Sequence, residues 1–338
     1  MPSNRQYLLV SRPVGVLQDS DLSLVESEIR APGPGEVQIR TQLVSMDPTI
    51  RIFMSDIQGY LPPIELGTVV RSLATGFVEQ SNHPGFAVGD EVFGILGWQT
   101  HPTLVPEMSL LGKLPPGIDG ATSLAVMGVT SGFTAYFALL EVGMPKAGET
   151  VVVSAAAGAV GSLVGQIAKI KGCRVIGIAG GPEKCKYVVE ELGFDACIDH
   201  RNEDVGAALD RLCPDGIDLD FENVGGAILD AILLRMKLHG RIVLCGTIAD
   251  YDTFGGQVRG PSNFSQILMR RIMIKGFIIL DWLDKVPAAA AELGGWLAQG
   301  KLKSRTYELS GFEKLPDALR ELVGGAPQQI GKMMVRIS

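Results

Sequence analysis

A run of small residues follows the apolar, strand-like segment at 151–153. Gly158 leaves room for a phosphate group, Gly161 lets the next helix begin close to it, and Gly165 allows that helix to pack tightly on the strand. The first turn of such a helix offers unpaired N–H donors to an anion. The predicted phosphate turn comprises Gly158, Ala159, Val160 and Gly161. This pattern predicts a site for the pyrophosphate of a dinucleotide; the alternative is an ordinary strand-to-helix turn of another doubly wound fold.

The next strand-like segment bears on which dinucleotide is bound. In folds that prefer NAD, an acidic residue about 20 positions beyond the glycines holds the ribose hydroxyls. Here that count from Gly161 reaches Gly181, and no acid is present. Gly180 and Gly181 leave space for a bulky group, and Lys184 follows in the first turn of the next predicted helix. The missing acid favours NADPH over NADH, and Lys184 is either a ligand of the 2′-phosphate or an ordinary solvated lysine.

The two halves of the chain carry different hydrophobic patterns. The first part alternates short apolar runs with Gly and Pro, which is typical of antiparallel strands curled into a small barrel or sandwich. Later, helix-length patterns alternate with apolar strands, as in βαβ units around a parallel sheet. The strands predicted there are 150–153, 174–178, 196–199, 217–221, 241–245 and 272–279. They complete a dinucleotide-binding sheet, and the strands near the chain end are expected to rejoin the first domain.

Composition excludes several classes of function. The 338 residues are 46% hydrophobic and 20% charged, which is typical of a globular protein with two domains. The net charge of −7 argues against a nucleic-acid partner, because binding to phosphate backbones needs a basic face. No stretch reaches the roughly 18 apolar residues of a membrane span, and the first residues lack the apolar core of a signal peptide. We therefore expect a cytoplasmic protein.

The cysteines and histidines show no metal-binding pattern. Cysteines stand at 173, 185, 197, 213 and 245 without a Cys-x-x-Cys pair, and histidines stand at 83, 101, 200 and 239. The two sets share no ligand spacing. An odd number of scattered thiols suits a reducing compartment. We expect reduced cysteines and no metal.

Several motifs spread over nearly the whole chain resemble one family. They are Val44-Ser45-Met46-Asp47-Pro48, Tyr60-Leu61-Pro62-Pro63, the run from Gly148 to Gly161, Gly180 to Lys184, Phe221-Glu222-Asn223-Val224-Gly225-Gly226, Cys245-Gly246 with Tyr251, and Gly331-Lys332. In this combination the chain resembles the zinc-independent medium-chain dehydrogenase/reductase superfamily, and within it the prostaglandin reductase, alkenal/one reductase and curcumin reductase group. The resemblance implies an α/β protein with a GroES-like catalytic domain at 1–126 and 300–338, a Rossmann NADP(H)-binding domain at 127–299, and a cofactor cleft between them.

The resemblance also implies roles for particular residues. Zinc-dependent relatives carry Cys where this chain has Ser45 and His-Glu where it has Thr68-Val69, which agrees with a metal-free site. Lys184, beside Gly180, would hold the 2′-phosphate, and Asn223 would contact the ribose side. The other positions that would line the cofactor are Cys245, Gly246, Thr247 and Tyr251, with Phe277, Ile278 and Ile279 flanking the nicotinamide.

The chain departs from the family pattern at four places. Thr49 stands where a Tyr usually follows Asp-Pro, and Thr130-Ser131 replaces Met-Pro, so a relative's substrate cannot be transferred to this chain. His200 replaces a Tyr that contacts the cofactor. It either meets the 2′-phosphate, adding charge when protonated, or caps a strand at the surface. Gln329 replaces an Asn close to Gly331-Lys332, and we retain it as a predicted cofactor contact.

If no metal polarises an alcohol, conjugate reduction is favoured over alcohol oxidation. Hydride addition to the β-carbon of an α,β-unsaturated ketone or aldehyde leaves an enolate, which needs a hydrogen-bond donor at oxygen and a proton at the α-carbon. The family resemblance makes Tyr251, Tyr60 and the cofactor's ribose hydroxyl the candidate donors. Either tyrosine is equally compatible with a packing role in the wall of the cleft.

Three functions remain open from the sequence. The favoured one is an NADPH-dependent reductase of small enals and enones. The second is a quinone reductase of the same superfamily, which the Asp47-Pro48 and Tyr60-Leu61-Pro62-Pro63 motifs disfavour. The third is a non-enzymatic NADPH-binding redox sensor, because binding residues alone do not prove turnover. The resemblance also implies a homodimer through the strand at 272–279, which is either an edge or an interior strand.

Overall fold

The computed structural model describes residues 3–253, 260–325 and 328–337. In chain order its strands are β1 (Ser3–Leu9), β2 (Leu22–Glu28), β3 (Val37–Ser45), β4 (Leu73–Ser81), β5 (Glu91–Ile95), β6 (Thr103–Leu104), β7 (Gly112–Lys113), β8 (Thr150–Val153), β9 (Arg174–Ala179), β10 (Ala196–Asp199), β11 (Ile217–Glu222), β12 (Met236–Leu244), β13 (Met273–Gly276), β14 (Thr306–Ser310) and β15 (Lys332–Arg336). Its α-helices are α1 (Thr49–Phe53), α2 (Gly120–Ala125), α3 (Gly132–Phe137), α4 (Ala159–Ile170), α5 (Pro182–Lys186), α6 (Val205–Leu212), α7 (Gly226–Leu233), α8 (Ser265–Arg270), α9 (Val286–Ala298) and α10 (Leu315–Val323). None of the helices in these ranges is long and apolar enough to cross a membrane.

In the described chain, the second half builds a six-stranded parallel sheet. Its order is β10-β9-β8-β11-β12-β13, so the strands run outward from the centre in two directions. The central strand β8 is apolar because both faces of the sheet are covered: Val151 and Val153 pack into one core cluster and Val152 into another. This topology confirms the predicted doubly wound, Rossmann-type sheet.

Two of the predicted strands, β12 and β13, differ from the structure by more than one residue at an end. β12 begins earlier than the predicted 241–245 and continues through a bend at His239, whose φ of 61° is left-handed. β13 is shorter than the predicted 272–279, because Phe277 turns inward and stacks on Trp282 with ring centroids 6.4 Å apart. β13 lies at the edge of the sheet, which decides between the two placements left open by the sequence.

The beginning and the end of the chain together build a mostly antiparallel sheet. Its order is β14-β15-β3-β4-β5-β7, with β6 paired to β3, while β1 and β2 pair separately. β15 pairs antiparallel with β3, so the last strand closes on the first part of the chain. A β-rich unit combined with a parallel sheet confirms the predicted fold class. The domain boundaries proposed from the sequence remain a prediction.

One segment near the chain end joins the two sheets. The Gly331 N–H donates to the carbonyl oxygen of Ala157 at 2.8 Å, and Gly331 forms a parallel bridge with Gly158. Gly331 has a φ of +79°, and a Cβ there would lie 1.9 Å from the carbonyl oxygen of Arg305, so this position requires glycine. The next residue, Lys332, starts β15. The chain end therefore holds the predicted phosphate turn against the β-rich sheet.

A buried ion pair continues this connection. The Lys332 ammonium lies 2.5 Å from Asp47 Oδ1 and also donates to the carbonyl oxygen of Met46 at 3.2 Å. Asp47 Oδ2 accepts a hydrogen bond from Ser45 Oγ at 2.6 Å. Burial would raise the pKa of Asp47, but the Lys332 ammonium and these hydrogen bonds bring that pKa below its usual range. The pair fixes the loop that leads into α1.

Candidate active site

The carboxyl ends of the parallel strands meet at one edge of the sheet, and the predicted cofactor residues lie there. The phosphate turn follows β8, Gly180 follows β9, His200 follows β10 and Asn223 follows β11. Residues 245–251 follow β12, and Phe277 follows β13. This edge is where ligands bind in open α/β sheets. The structure thus brings residues from many parts of the sequence into one region.

The phosphate turn has a backbone shape that small residues allow. Ala155 adopts a left-handed φ of 49°, and Gly158 is the residue before α4. A Cβ on Gly161 would lie 2.5 Å from the carbonyl oxygen of Ala155, which is closer than real side chains come. The first N–H groups of α4, on Ala159 and Val160, have no intrahelical partner, as at the start of every α-helix. No side chain at Gly158 caps them either. The turn therefore fits a phosphate group.

Close packing of α4 on the sheet sets the position of this turn. A Cβ on Gly165 would lie 1.7 Å from the ring of Phe194, which is buried. A Cβ on Gly177 in β9 would lie 3.3 Å from the same ring. Glycines at both positions let the aromatic ring fill the space between helix and strand.

The buried carboxyl group of Glu222 holds the residues beside the phosphate turn in place. Glu222, at the end of β11, is buried, and its Oε1 accepts hydrogen bonds from Ser154 Oγ at 2.7 Å and from the Gly225 N–H at 2.9 Å. The Asn223 N–H donates to Ser154 Oγ, and Asn223 Nδ2 donates to the Ser154 carbonyl oxygen, both at 2.7 Å. Asn223 therefore supports the phosphate turn itself, and its predicted contact with a ribose stays a prediction.

Two basic side chains meet beside Gly180, and a third, Lys184, lies within electrostatic range of both. A Cβ on Gly180 would lie 2.9 Å from both His200 Nε2 and Arg201 Nε, so a larger residue would push these groups away. Lys184 lies on α5, where burial and then the charge of Arg201 lower its pKa. We call Lys184, His200 and Arg201 the cation cluster, in which His200 carries a charge only when it is protonated.

The cation cluster is electrostatically suited to an anion. Burial, followed by the charge of Arg201, lowers the pKa of His200, and Lys184 acts in the same direction. Asp199 offsets part of this repulsion, and its Oδ1 accepts hydrogen bonds from the N–H groups of Gly181 at 2.7 Å and Arg201 at 3.1 Å. Because cations held close together repel each other, a bound anion stabilises them. The cluster fits a phosphate monoester.

Tyr251 lies buried in the turn after β12. Its hydroxyl oxygen lies 3.1 Å from where a Cβ on Gly246 would be, and the Thr247 N–H donates to it. Burial raises the pKa of Tyr251 above its usual range. The neighbouring Cys245 donates its N–H to the Glu222 carbonyl oxygen at 2.9 Å, and burial raises the pKa of its thiol to about 12. Both groups keep their protons at neutral pH.

Tyr60 reaches the same region from the β-rich part of the chain. Burial of its phenol raises the pKa of Tyr60 to about 12, although a hydrogen bond with Thr49 acts in the opposite direction. Ionisation of Tyr60 would raise the pKa of Tyr251, so the two phenols lie within electrostatic range of each other. The Tyr60 ring packs edge-on against Phe53, with centroids 5.5 Å apart, and the residue as a whole is 41% exposed. The structure thus brings the two predicted catalytic tyrosines together.

The remaining predicted cofactor contacts differ in placement. The ring of Phe277 is buried in the core, and its N–H donates to the Leu244 carbonyl oxygen at 3.2 Å. Ile278 and Ile279 follow it and are partly buried. Gln329 Nε2 donates to the carbonyl oxygen of Gly331 at 3.2 Å, so Gln329 lies beside the segment that pairs with the phosphate turn.

Two residues in or beside the site, Arg201 and Lys332, are not predicted from the sequence. Arg201 directly follows His200, and this basic pair after the third predicted strand was the available signal. Lys332 belongs to a motif that the sequence shows, but its partner Asp47 lies 285 positions earlier. The ion pair becomes visible only when β15 pairs with β3.

Family models match both parts of the chain. The model described as the N-terminal domain of oxidoreductase matches residues 5–110, and the one described as zinc-binding dehydrogenase matches residues 159–294. Across the residues that the structure describes, no group of three His, Cys, Asp or Glu side chains is arranged to hold a metal ion.

Similar proteins extend the match to nearly the whole chain. An NADPH-dependent curcumin reductase of Escherichia coli (strain K12) is 40% identical, covering 99% of this chain and 97% of the relative. A 2-alkenal reductase (NADP(+)-dependent) of Nicotiana tabacum is 36% identical over 99% and 98%. The crystal structure of CurA in complex with NADPH from Vibrio vulnificus is 42% identical, covers 99% of both chains and has a TM-score of 0.91. The chain therefore belongs to the medium-chain dehydrogenase/reductase superfamily, in the group that contains the curcumin, 2-alkenal and prostaglandin reductases.

Proposed function

We propose that this chain is an NADPH-dependent oxidoreductase that reduces the C=C bond of α,β-unsaturated ketones or aldehydes. One observation carries the proposal: the phosphate turn, the cation cluster and Tyr251 lie at one edge of the parallel sheet, and Tyr60 lies within electrostatic range of Tyr251. The curcumin reductase and the 2-alkenal reductase that match nearly the full chain support the same reaction class.

The residues at this edge fit two separate phosphate groups. Gly158 and Gly161 leave the turn free of side chains, and the 12-residue helix α4 directs the positive end of its dipole there. The cation cluster suits a 2′-phosphate, which NADPH carries and NADH lacks. The relative crystallised with NADPH supports the same choice. When bound, NADPH supplies the hydride.

Tyr251 is the proposed hydrogen-bond donor to the carbonyl oxygen of the substrate. Because burial raises its pKa, the phenol keeps its proton at neutral pH and acts as a donor rather than a base. A donor in a desolvated site stabilises the negative charge that develops on oxygen as the enolate forms. Tyr60, which shares a hydrogen bond with Thr49, is the proposed second donor.

A small substrate panel tests the reaction class. We expect the purified protein to oxidise NADPH in the presence of a trans-2-alkenal or an aromatic enone, followed by the loss of cofactor absorbance. The reaction should be much slower with NADH, because NADH cannot engage the cation cluster. Activity on a quinone alone would instead identify a quinone reductase. Tight NADPH binding without turnover of any compound would favour the redox sensor.

Removing charge from the cation cluster tests the choice of cofactor. We expect Lys184→Met and Arg201→Met each to raise the KM for NADPH about 10- to 100-fold, since each removes a charge-assisted hydrogen bond worth ~1.5–3 kcal/mol. The KM for NADH should stay nearly constant in steady-state kinetics. Lys186→Met is the matched control, because Lys186 lies on the same helix and pairs with Glu190 in solvent. Equal losses for both cofactors would refute the assignment.

Removing one phenol at a time tests the proposed donors. We expect Tyr251→Phe to lower kcat on an enal about 100- to 1,000-fold, the loss typical of one oxyanion donor, with the Kd for NADPH unchanged. Tyr60→Phe should cost less, because Tyr60 is more exposed and water can replace its hydroxyl. Tyr307→Phe in β14 serves as the control. Steady-state kinetics and a fluorescence titration separate the two effects, and an unchanged kcat for Tyr251→Phe would remove Tyr251 from the mechanism.

We also propose a homodimer formed through the edge strand β13. The adjoining helix α8 exposes Leu268 by 77% and Met269 by 66%, and Ile274 in β13 is exposed as well. An open strand edge flanked by apolar side chains is a surface that proteins cover. Light scattering should give twice the chain mass of 36.0 kDa, and Ile274→Lys should give a monomer. A monomeric wild-type protein would exclude the dimer.

The cytoplasmic location stays a prediction from the sequence.

A further inference from the structure

Two cysteines lie on the packed elements α5 and β10, beside the cation cluster. Cys185 directly follows Lys184 in α5, and Cys197 lies in β10. Helix α5 packs on β10, both cysteine side chains are partly buried against the same core cluster, and the two thiols shift each other's pKa. Both cysteines are free. The fold therefore holds two reduced thiols near each other, next to the proposed site of the 2′-phosphate.

The thiol of Cys185 differs from the other cysteine thiols. The neighbouring Cys197 thiol lowers the pKa of Cys185, although burial and two nearby carboxylates act in the opposite direction. Cys185 in turn raises the pKa of Cys197. Burial raises the thiol pKa to about 11 or 12 at Cys173, Cys213 and Cys245. Because the thiolate is the nucleophilic form, we expect Cys185 to be the first of the pair to react with an oxidant.

The cysteine pair is connected to the cation cluster on both sides. Lys184 and Cys185 share one short helical segment. Cys197 lies in the same strand as Asp199, whose carboxylate accepts a hydrogen bond from the Arg201 N–H at 3.1 Å. A displacement of α5 relative to β10 therefore changes the spacing of the cations.

We propose that Cys185 and Cys197 form a redox modification site, at which a peroxide produces a disulfide that lowers the affinity for NADPH. The Cys185 sulfur attacks a peroxide oxygen, giving a sulfenic acid and one water. The Cys197 sulfur then displaces the hydroxyl group, which leaves with the thiol proton as a second water. Two thiols and one hydrogen peroxide thus give one disulfide and two waters. Bond formation draws the first turn of α5 towards β10 and moves Lys184 from its place beside Arg201.

The effect on affinity rests on the proposed NADPH function, whereas disulfide formation is measured independently of it. The full-length protein is reduced, treated with hydrogen peroxide, and analysed by thiol titration and peptide mass spectrometry. We expect two thiols to be lost and a linked peptide pair containing Cys185 and Cys197. A fluorescence titration should show a rise of about tenfold in the Kd for NADPH, as when one charge-assisted hydrogen bond is weakened. Dithiothreitol should reverse both changes.

Serine variants separate this site from the other cysteines. Cys185→Ser and Cys197→Ser should bind NADPH like the reduced wild type and keep that affinity after peroxide. Cys213→Ser, at a buried cysteine elsewhere, is the matched control and should respond like the wild type. The proposal is overturned if peroxide leaves the pair unlinked, if the linked protein binds NADPH unchanged, or if Cys185→Ser loses as much affinity. A reduced wild type that fails to bind NADPH would refute the proposed function instead. Mass spectrometry would still show whether the disulfide forms.

Discussion

The hydrogen bond from the Gly331 N–H to the Ala157 carbonyl oxygen is the contact on which the site depends. It is 2.8 Å long and joins a segment from the end of the chain to the turn after β8. The next residue, Lys332, is paired with the buried Asp47, so the phosphate turn and the loop before α1 are fixed to one another. A side chain on Gly331 would collide with the Arg305 backbone. The two halves of the site are therefore positioned by backbone contacts and one buried ion pair rather than by mobile side chains.

This connection lets groups from distant parts of the chain act at one place. Tyr60 comes from the β-rich part and Tyr251 from the turn after β12, and burial raises the pKa of both phenols, which keeps them hydrogen-bond donors. In the cation cluster, burial instead lowers the pKa of Lys184. The charge of Arg201 acts in the same direction, and the 2′-phosphate of the proposed cofactor offsets this repulsion with negative charge. In the proposed mechanism, burial thus affects both cofactor binding by the cations and hydrogen-bond donation by the two phenols.

Features that depend on local chemistry could be predicted from the sequence, and features that depend on distant contacts could not. The phosphate turn and most strands of the parallel sheet follow from glycine spacing and apolar runs. The end of β13 was mispredicted because an apolar run does not distinguish a strand from the inward turn at Phe277. Asp220 is buried in β11 with a pKa raised by burial, although an acid in a strand normally indicates a solvent-facing position. Arg201 and the pairing of Lys332 with Asp47 depend on segments that meet only in the fold.

Hydride transfer to the β-carbon of an activated C=C bond can be measured directly with labelled cofactor. An enone is reduced in ordinary water with NADPH deuterated at C4 of the nicotinamide, once for each of the two C4 positions, and the product is examined by NMR. With one of the two labelled cofactors, the expected product is a saturated ketone with deuterium at the β-carbon and ordinary hydrogen at the α-carbon. Deuterium on the carbonyl carbon of an allylic alcohol, or no labelled product with either cofactor, would contradict the proposed reaction.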